Sequence, residues 1–228
     1  MPNTPCHIIQ RGNDRQACFF TKRDYIVYLD KLLEASLTHK VKIHSFVLMT
    51  NHVHLLCSPE EVTGVSRMLQ GLGRYYVRYI NSTYNRTGTL WEGRAKSSLV
   101  DSEAYLLKVS KYIELNPVRA RMVNHPAEYP WSSYRHNAIG KIIKLVTSHP
   151  LYNALGKDSK ERQVNYRALF KDNQIAGYTL EEIRSAANKS WVLGDGRFKS
   201  QIETQLGRKI SPFKRGGDRK SKNYNPRP

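Results

Sequence analysis

Apolar residues along the first half of the chain alternate between the two-residue period of strands and the three-to-four-residue period of helices. Residues 6–10 form a short apolar run that stops at Arg11-Gly12-Asn13-Asp14, which is turn chemistry, so a first strand is expected there. From 22 to 37, Tyr25, Ile26, Leu29, Leu32, Leu33 and Leu37 recur at helical spacing, with Thr21 placed to cap. Residues 42–49 and 52–57 are rich in strand formers, and Thr50-Asn51 between them suits a tight hairpin. Val65, Met68, Leu69, Leu72, Tyr76 and Ile80 return to helical spacing. A short strand over 96–100 follows, and then a helix to about 115, opened by Asp101 or Ser102.

The resulting order, β-α-β-β-α-β plus a helix, predicts an α+β protein with a ferredoxin-like antiparallel sheet and helices on one face. The other face is left for nucleic acid or for the third helix. Past about 140 the pattern becomes helical only, over 163–170, 179–187 and 195–206. Thr179 and Glu182 read as a capping box, and Gly207 as a helix stop. Residues 207–228 hold eight Lys and Arg against one Asp, with little that is apolar, and are expected to stay disordered without a polyanion. The expected division is a catalytic domain over 1–140, a helical DNA-binding region over 141–206 and a basic tail over 207–228.

Charge narrows the choice of partner. Lys plus Arg number 37 and Asp plus Glu 19, a net charge of +18, while charged residues are an ordinary 25% of the chain. Scarce acids therefore matter as much as added bases, and the balance points to a polyanion. No apolar run is long enough to span a membrane, and Met1-Pro2-Asn3-Thr4-Pro5 does not read as a signal peptide. Cys6, Cys18 and Cys57 are too few and scattered for a disulfide framework. These features predict a cytoplasmic, nucleic-acid-directed protein.

Two segments carry candidate chemistry. In Asn51-His52-Val53-His54 the two histidines share one strand face, where they could supply two ligands to a divalent metal. The same spacing also fits two ordinary surface histidines. In Tyr112-Ile-Glu-Leu-Asn116-Pro117, Tyr112 and Asn116 stand one helical turn apart, although Pro117 biases Asn116 away from helix. A phenol can attack phosphorus in line when a metal neutralises the phosphate oxygens. With 14 tyrosines in the chain, most must be core, surface or stacking residues. Zinc bound by Cys6, His7, His52 and His54 is disfavoured, because no paired-cysteine spacing occurs and Cys57 faces away from the histidines.

Asn51-His52-Val53-His54-Leu55-Leu56, Leu90-Trp91-Glu92-Gly93-Arg94-Ala95-Lys96-Ser97 and Tyr112-Ile113-Glu114-Leu115-Asn116-Pro117-Val118-Arg119-Ala120 together resemble the REP-associated tyrosine transposases, single-tyrosine members of the HUH endonuclease superfamily. Arg11-Gly12-Asn13 and Trp131-Ser132-Ser133-Tyr134 fit the same pattern, so the likeness covers about residues 1–140. It implies an HUH-type fold and Mg²⁺ or Mn²⁺ held by His52 and His54. It further implies a third ligand four residues past the nucleophile, here Asn116, with Glu92 and Glu114 as substitutes. Tyr112 would cut single-stranded DNA beside a REP-type hairpin, keeping a 5′-phosphotyrosine link that needs no nucleotide cofactor to reverse. A monomer is implied as well. Tyr105 and Tyr134 are the next nucleophile candidates.

DNA contacts are expected from Arg11, Asn13, Arg74, Arg78, Arg94, Lys96 and Arg119, and from Lys214 and Arg215 in the tail. Arg67 and Arg86 extend the basic set. Tyr75, Tyr76 and Tyr79 are interleaved with it as stacking candidates. The principal alternative is a structured-nucleic-acid binding protein whose catalytic site is idle. An RNA-binding ferredoxin-like module would instead expose aromatic residues where the central strand carries histidines.

Overall fold

A computed structural model describes residues 1–171, 175–207 and 210. Strands β1 (Cys6–Arg11), β2 (Val41–Met49), β3 (His52–Pro59) and β4 (Lys96–Leu99) form one antiparallel sheet in the order β2-β3-β1-β4. Helices α1 (Lys22–Thr38) and α2 (Gly64–Thr83) intervene as the periodicity predicts. Alternation along the strands sends Cys6, Ile8, Phe46, Leu48, Val53, Leu55 and Cys57 into a core beneath α1 and α2. On α1 the buried stripe is Tyr25, Tyr28 and Leu32, whereas Ile26 and Leu37 are exposed. The periodic reading included the latter two and passed over Tyr28.

Met49 pairs with His52, so β2 and β3 are joined by the two-residue turn Thr50-Asn51. The Thr50 carbonyl accepts from the Cys18 and Phe19 amides, and that of Asn51 from Gly12. Gly12 is required by this packing, since a Cβ there would sit 2.2 Å from the Gln16 carbonyl oxygen. The loop after β1 thus clamps the hairpin tip.

The second sheet face is covered by helix rather than left free. Val47, Met49 and Leu56 pack with Leu106, Val109, Tyr112 and Ile113 of α3 (Ser102–Glu114), and with Ile183 and Ala186 of α8 (Gly177–Lys189). Asp101 caps α3 by accepting the Glu103 amide. After a break at Leu115 comes the single turn α4 (Asn116–Arg119), so Asn116 opens a helical turn against the bias expected before Pro117, which sits in that first turn where its missing amide is not needed. The described residues past 140 do not form a separate core. Tyr152 of α6 (Pro150–Asn153) and Tyr166 of α7 (Ser159–Ala168) join Leu115 and Ala138 of α5 (Tyr134–Ile139), and Leu193 exchanges backbone hydrogen bonds with Leu99 and Asp101 beside β4. α7 starts four residues before the expected 163, where Asp158 caps it. The capping box expected at Thr179 does not form, because α8 begins at Gly177 and Thr179 is buried within it. α9 (Gly196–Leu206) is capped by Asp195 and ends at Gly207 as expected. Lys214 and Arg215 lie outside the described residues.

Glu114, at the end of α3, ties these parts together. It is wholly buried and accepts from Ser133 Oγ, Asn137 Nδ2 at 2.9 Å and Tyr166 Oη at 2.8 Å. Burial drives its pKa up from 4.5 to about 7, outweighing those three donors, which pull it down. A carboxyl that holds its proton more tightly when folded stabilises fully below pH 4.5, and that contribution is lost as pH rises to about 7. The loss amounts to about 3 kcal/mol. Urea unfolding of wild type and Glu114→Gln across this window should show the variant lacking that part of the slope. Parallel slopes would contradict it.

Candidate active site

Register decides which side chains meet on the covered sheet face. Arg11 lies opposite His52, Ile9 opposite His54 and His7 opposite Leu56, so His7, Ile9 and Arg11 share the face of the two histidines. His7 and His54 are diagonal neighbours, and their rings stack with His7 Nε2 2.9 Å from His54 Nδ1. Tyr112 comes down from α3 edge-on to both, at 5.7 Å between ring centroids in each case. The Arg119 guanidinium lies 4.1 Å from the centre of the Tyr112 ring. Arg11, His52, His54, Tyr112, Asn116 and Arg119, with Arg184 and Asn188 of α8, line a cavity of about 310 Å³ that has no acidic side chain among the described residues of its wall, and His7 lies behind His54.

Each histidine of the pair has its Nδ1 occupied. Asn51 Nδ2 donates to the Arg15 carbonyl at 2.9 Å, which turns Asn51 Oδ1 toward His52 Nδ1 at 2.7 Å. His52 therefore carries its proton on Nδ1 and keeps a lone pair on Nε2. His54 presents Nε2 in the same way when its Nδ1–H donates to His7. Both rings are held neutral. Burial first, then the Arg11 and Arg119 charges, bring His52 down to about 4. Burial, His7, His52 and the same arginines hold His54 well below its ordinary value. His7 is lowered to about 3 by burial alone, and its Nδ1 has no partner.

This donor set fits a divalent cation at two positions, with outer partners orienting both imidazoles. No three His, Cys, Asp or Glu side chains gather as a metal site among the described residues. Asn116 stays beside Tyr112 despite the helix break. Its Nδ2 donates to the carbonyls of Tyr112 at 3.0 Å and Ile113 at 3.3 Å, capping α3, and its Oδ1 accepts from Arg119 at 2.8 Å. Of the substitutes, Glu114 is committed to Ser133, Asn137 and Tyr166 and is not part of the cavity wall. Glu92 is exposed in a neighbouring recess shared with Arg94, Lys96, Arg11 and Asn188. Tyr105 instead hydrogen-bonds Glu182, and Tyr134 packs in the core around Leu115. Cys6 and Cys57 lie on the sheet face opposite the histidines, packed in the core beneath α1 and α2.

Of the residues expected to touch DNA, Arg11 and Arg119 line the cavity and Arg94 and Lys96 the adjoining recess. Asn13 is exposed in a 3₁₀ turn after β1. Arg74 and Arg78 are exposed on α2, in the layer across the sheet. Among the stacking candidates Tyr76 is core, donating to the Cys18 carbonyl, and Tyr79 donates to Asp24. His7, Asn51, Arg184 and Asn188 were not among the expected site residues. The parity of His7 with Arg11 and the four-residue spacing of Arg184 and Asn188 are legible, but not which surfaces they reach.

Among the described residues no helix is long and apolar enough to cross a membrane. No curated protein matches the chain. Among solved structures, a REP-associated tyrosine transposase bound to a REP hairpin is similar at 13% identity and a TM-score of 0.55, covering 66% of this chain and 88% of that one. A putative transposase from Deinococcus radiodurans R1 is 20% identical over 48% of this chain and 88% of its own, with a TM-score of 0.36. The first likeness shows the fold. The model of the IS200-like transposases matches residues 1–116, which takes in the whole sheet, His52, His54, Tyr112 and Asn116, and the chain belongs to that family.

Proposed function

We propose that this transposase is a metal-dependent single-strand DNA endonuclease and strand transferase that uses Tyr112 as its nucleophile on REP-type hairpin DNA. The observation that carries the reading is Tyr112 packed edge-on to His54 and under the Arg119 guanidinium, in a cavity with no acid among its described lining residues. Such a cavity favours a phosphodiester, whose negative charge the arginine complements. The choice of hairpin follows the ligand of the structurally similar REP-associated transposase.

Mg²⁺ or Mn²⁺, held by Nε2 of His52 and of His54 with Asn116 Oδ1 as third ligand, would neutralise the phosphate oxygens. Tyr112 Oη attacks phosphorus, and its proton passes to solvent. The bond from phosphorus to the 3′-oxygen breaks, leaving a 5′-phosphotyrosine ester, and the departing oxygen takes a proton to become a free 3′-hydroxyl. Because the ester keeps the bond energy, a 3′-hydroxyl attacking it rejoins the strand and returns the phenol. His7 and Asn51 orient the two imidazoles.

The test is a denaturing gel of protein with end-labelled REP-like hairpin DNA and Mn²⁺. A covalent species that disappears on protease treatment is expected. Hairpin binding with no adduct would overturn the enzymatic reading in favour of a binding protein with an idle site.

A further inference from the structure

The cavity has two walls, and the second is built from a helix well outside the segment that matches the family model. On the first wall, Arg119 spends Nη2 on Asn116 Oδ1 while its Nη1 is buried with no partner. On the second, Arg184 and Asn188 stand one turn apart on α8, both exposed, and the Arg184 charge bears on Arg119. Arg11 adds a third guanidinium beside His52. Three cations around one cavity, with no counter-charge among the described lining residues, repel each other, and a buried N–H without an acceptor is costly. An anion relieves both. Arg11 and Asn188 also line the recess that holds Arg94, Lys96 and one acid, Glu92, so a track with three cations to one carboxylate continues past the cavity along β4. A continuous track suits successive phosphates of one strand better than an isolated anion.

We propose that Arg184, with Asn188 and Arg119, clamps the scissile phosphodiester of a single DNA strand, so that α8 supplies one wall of the substrate site. The planar fork of Arg184 can hold two non-bridging oxygens, and Arg119 offers its free Nη1 from the side of Tyr112. The phosphate is thereby fixed between the attacking phenol and the arginines. This clamp rests on the strand-transferase reading, but binding of a strand can be measured without cleavage.

The experiment compares wild type, Arg184→Ala and Arg184→Lys in two assays. Fluorescence anisotropy with a short labelled single strand in EDTA reads affinity against salt. Adduct formation at saturating hairpin DNA with Mn²⁺ reads the chemical step. Arg184 is exposed and outside the cores, so the variants should unfold at the wild-type temperature. Arg184→Ala should weaken strand binding about tenfold at low salt and flatten the log–log salt slope by about 0.7. Its adduct rate should fall about 10- to 100-fold. Arg184→Lys should restore the slope but not the rate, because a point charge replaces a fork. Wild-type slope and rate in Arg184→Ala would overturn the clamp. A flattened slope with wild-type rate would move Arg184 to another phosphate and overturn the scissile assignment. If wild type forms no adduct yet Arg184→Ala flattens the slope, the transferase reading fails while the strand site stands.

Discussion

Tyr112→Phe is expected to bind hairpin DNA as wild type does and to form no covalent adduct, a drop of about 10⁴-fold or more. One oxygen is removed. The ring keeps its edge contacts with His7 and His54, its place under Arg119 and its packing against Val47 and Met49. Thermal unfolding should therefore shift little, which separates loss of the nucleophile from loss of the fold. Persistence of the adduct would move the nucleophile elsewhere. Neither earlier substitute is well placed, since Tyr105 is engaged with Glu182 and Tyr134 is in another core.

His52→Ala should reduce cleavage about 10³-fold, the several kcal/mol that metal stabilisation of a phosphoryl transition state supplies. Hairpin affinity should change little, because it rests on many phosphate contacts. EDTA should reproduce the defect in wild type. A His52→Ala protein that cleaves at the wild-type rate would remove the metal assignment. The structure makes His52 the cleaner site of the pair. His52 is partly exposed and bonded only to its neighbour Asn51, whereas His54 is buried and is the hydrogen-bond partner of His7. His54→Ala would leave His7 with neither ring nitrogen paired and cost about 1–3 kcal/mol of stability besides the activity.

Local spacing was enough for much of this protein. Period-two and period-four patterns depend only on near neighbours, so β1 to β4, α1 to α3 and the face shared by His52 and His54 were readable from the order of residues. The Thr50-Asn51 turn and the Asp101 cap were readable for the same reason. The order of elements also led to the antiparallel ferredoxin-like sheet, because few topologies accommodate it. Tertiary structure decided what depends on contacts between distant segments. Thr179 carried a cap signal, yet packing of α8 on the sheet buried it inside the helix. Glu114 read as a spare ligand until α5 and α7 surrounded it with three donors. His7 became the partner of His54 only through the register of β1 on β3, and Arg184 reached the cavity only because α8 covers the sheet face that an isolated ferredoxin-like unit would leave open. Each of these depends on groups tens of residues apart in the chain, and no local period records which of them will meet.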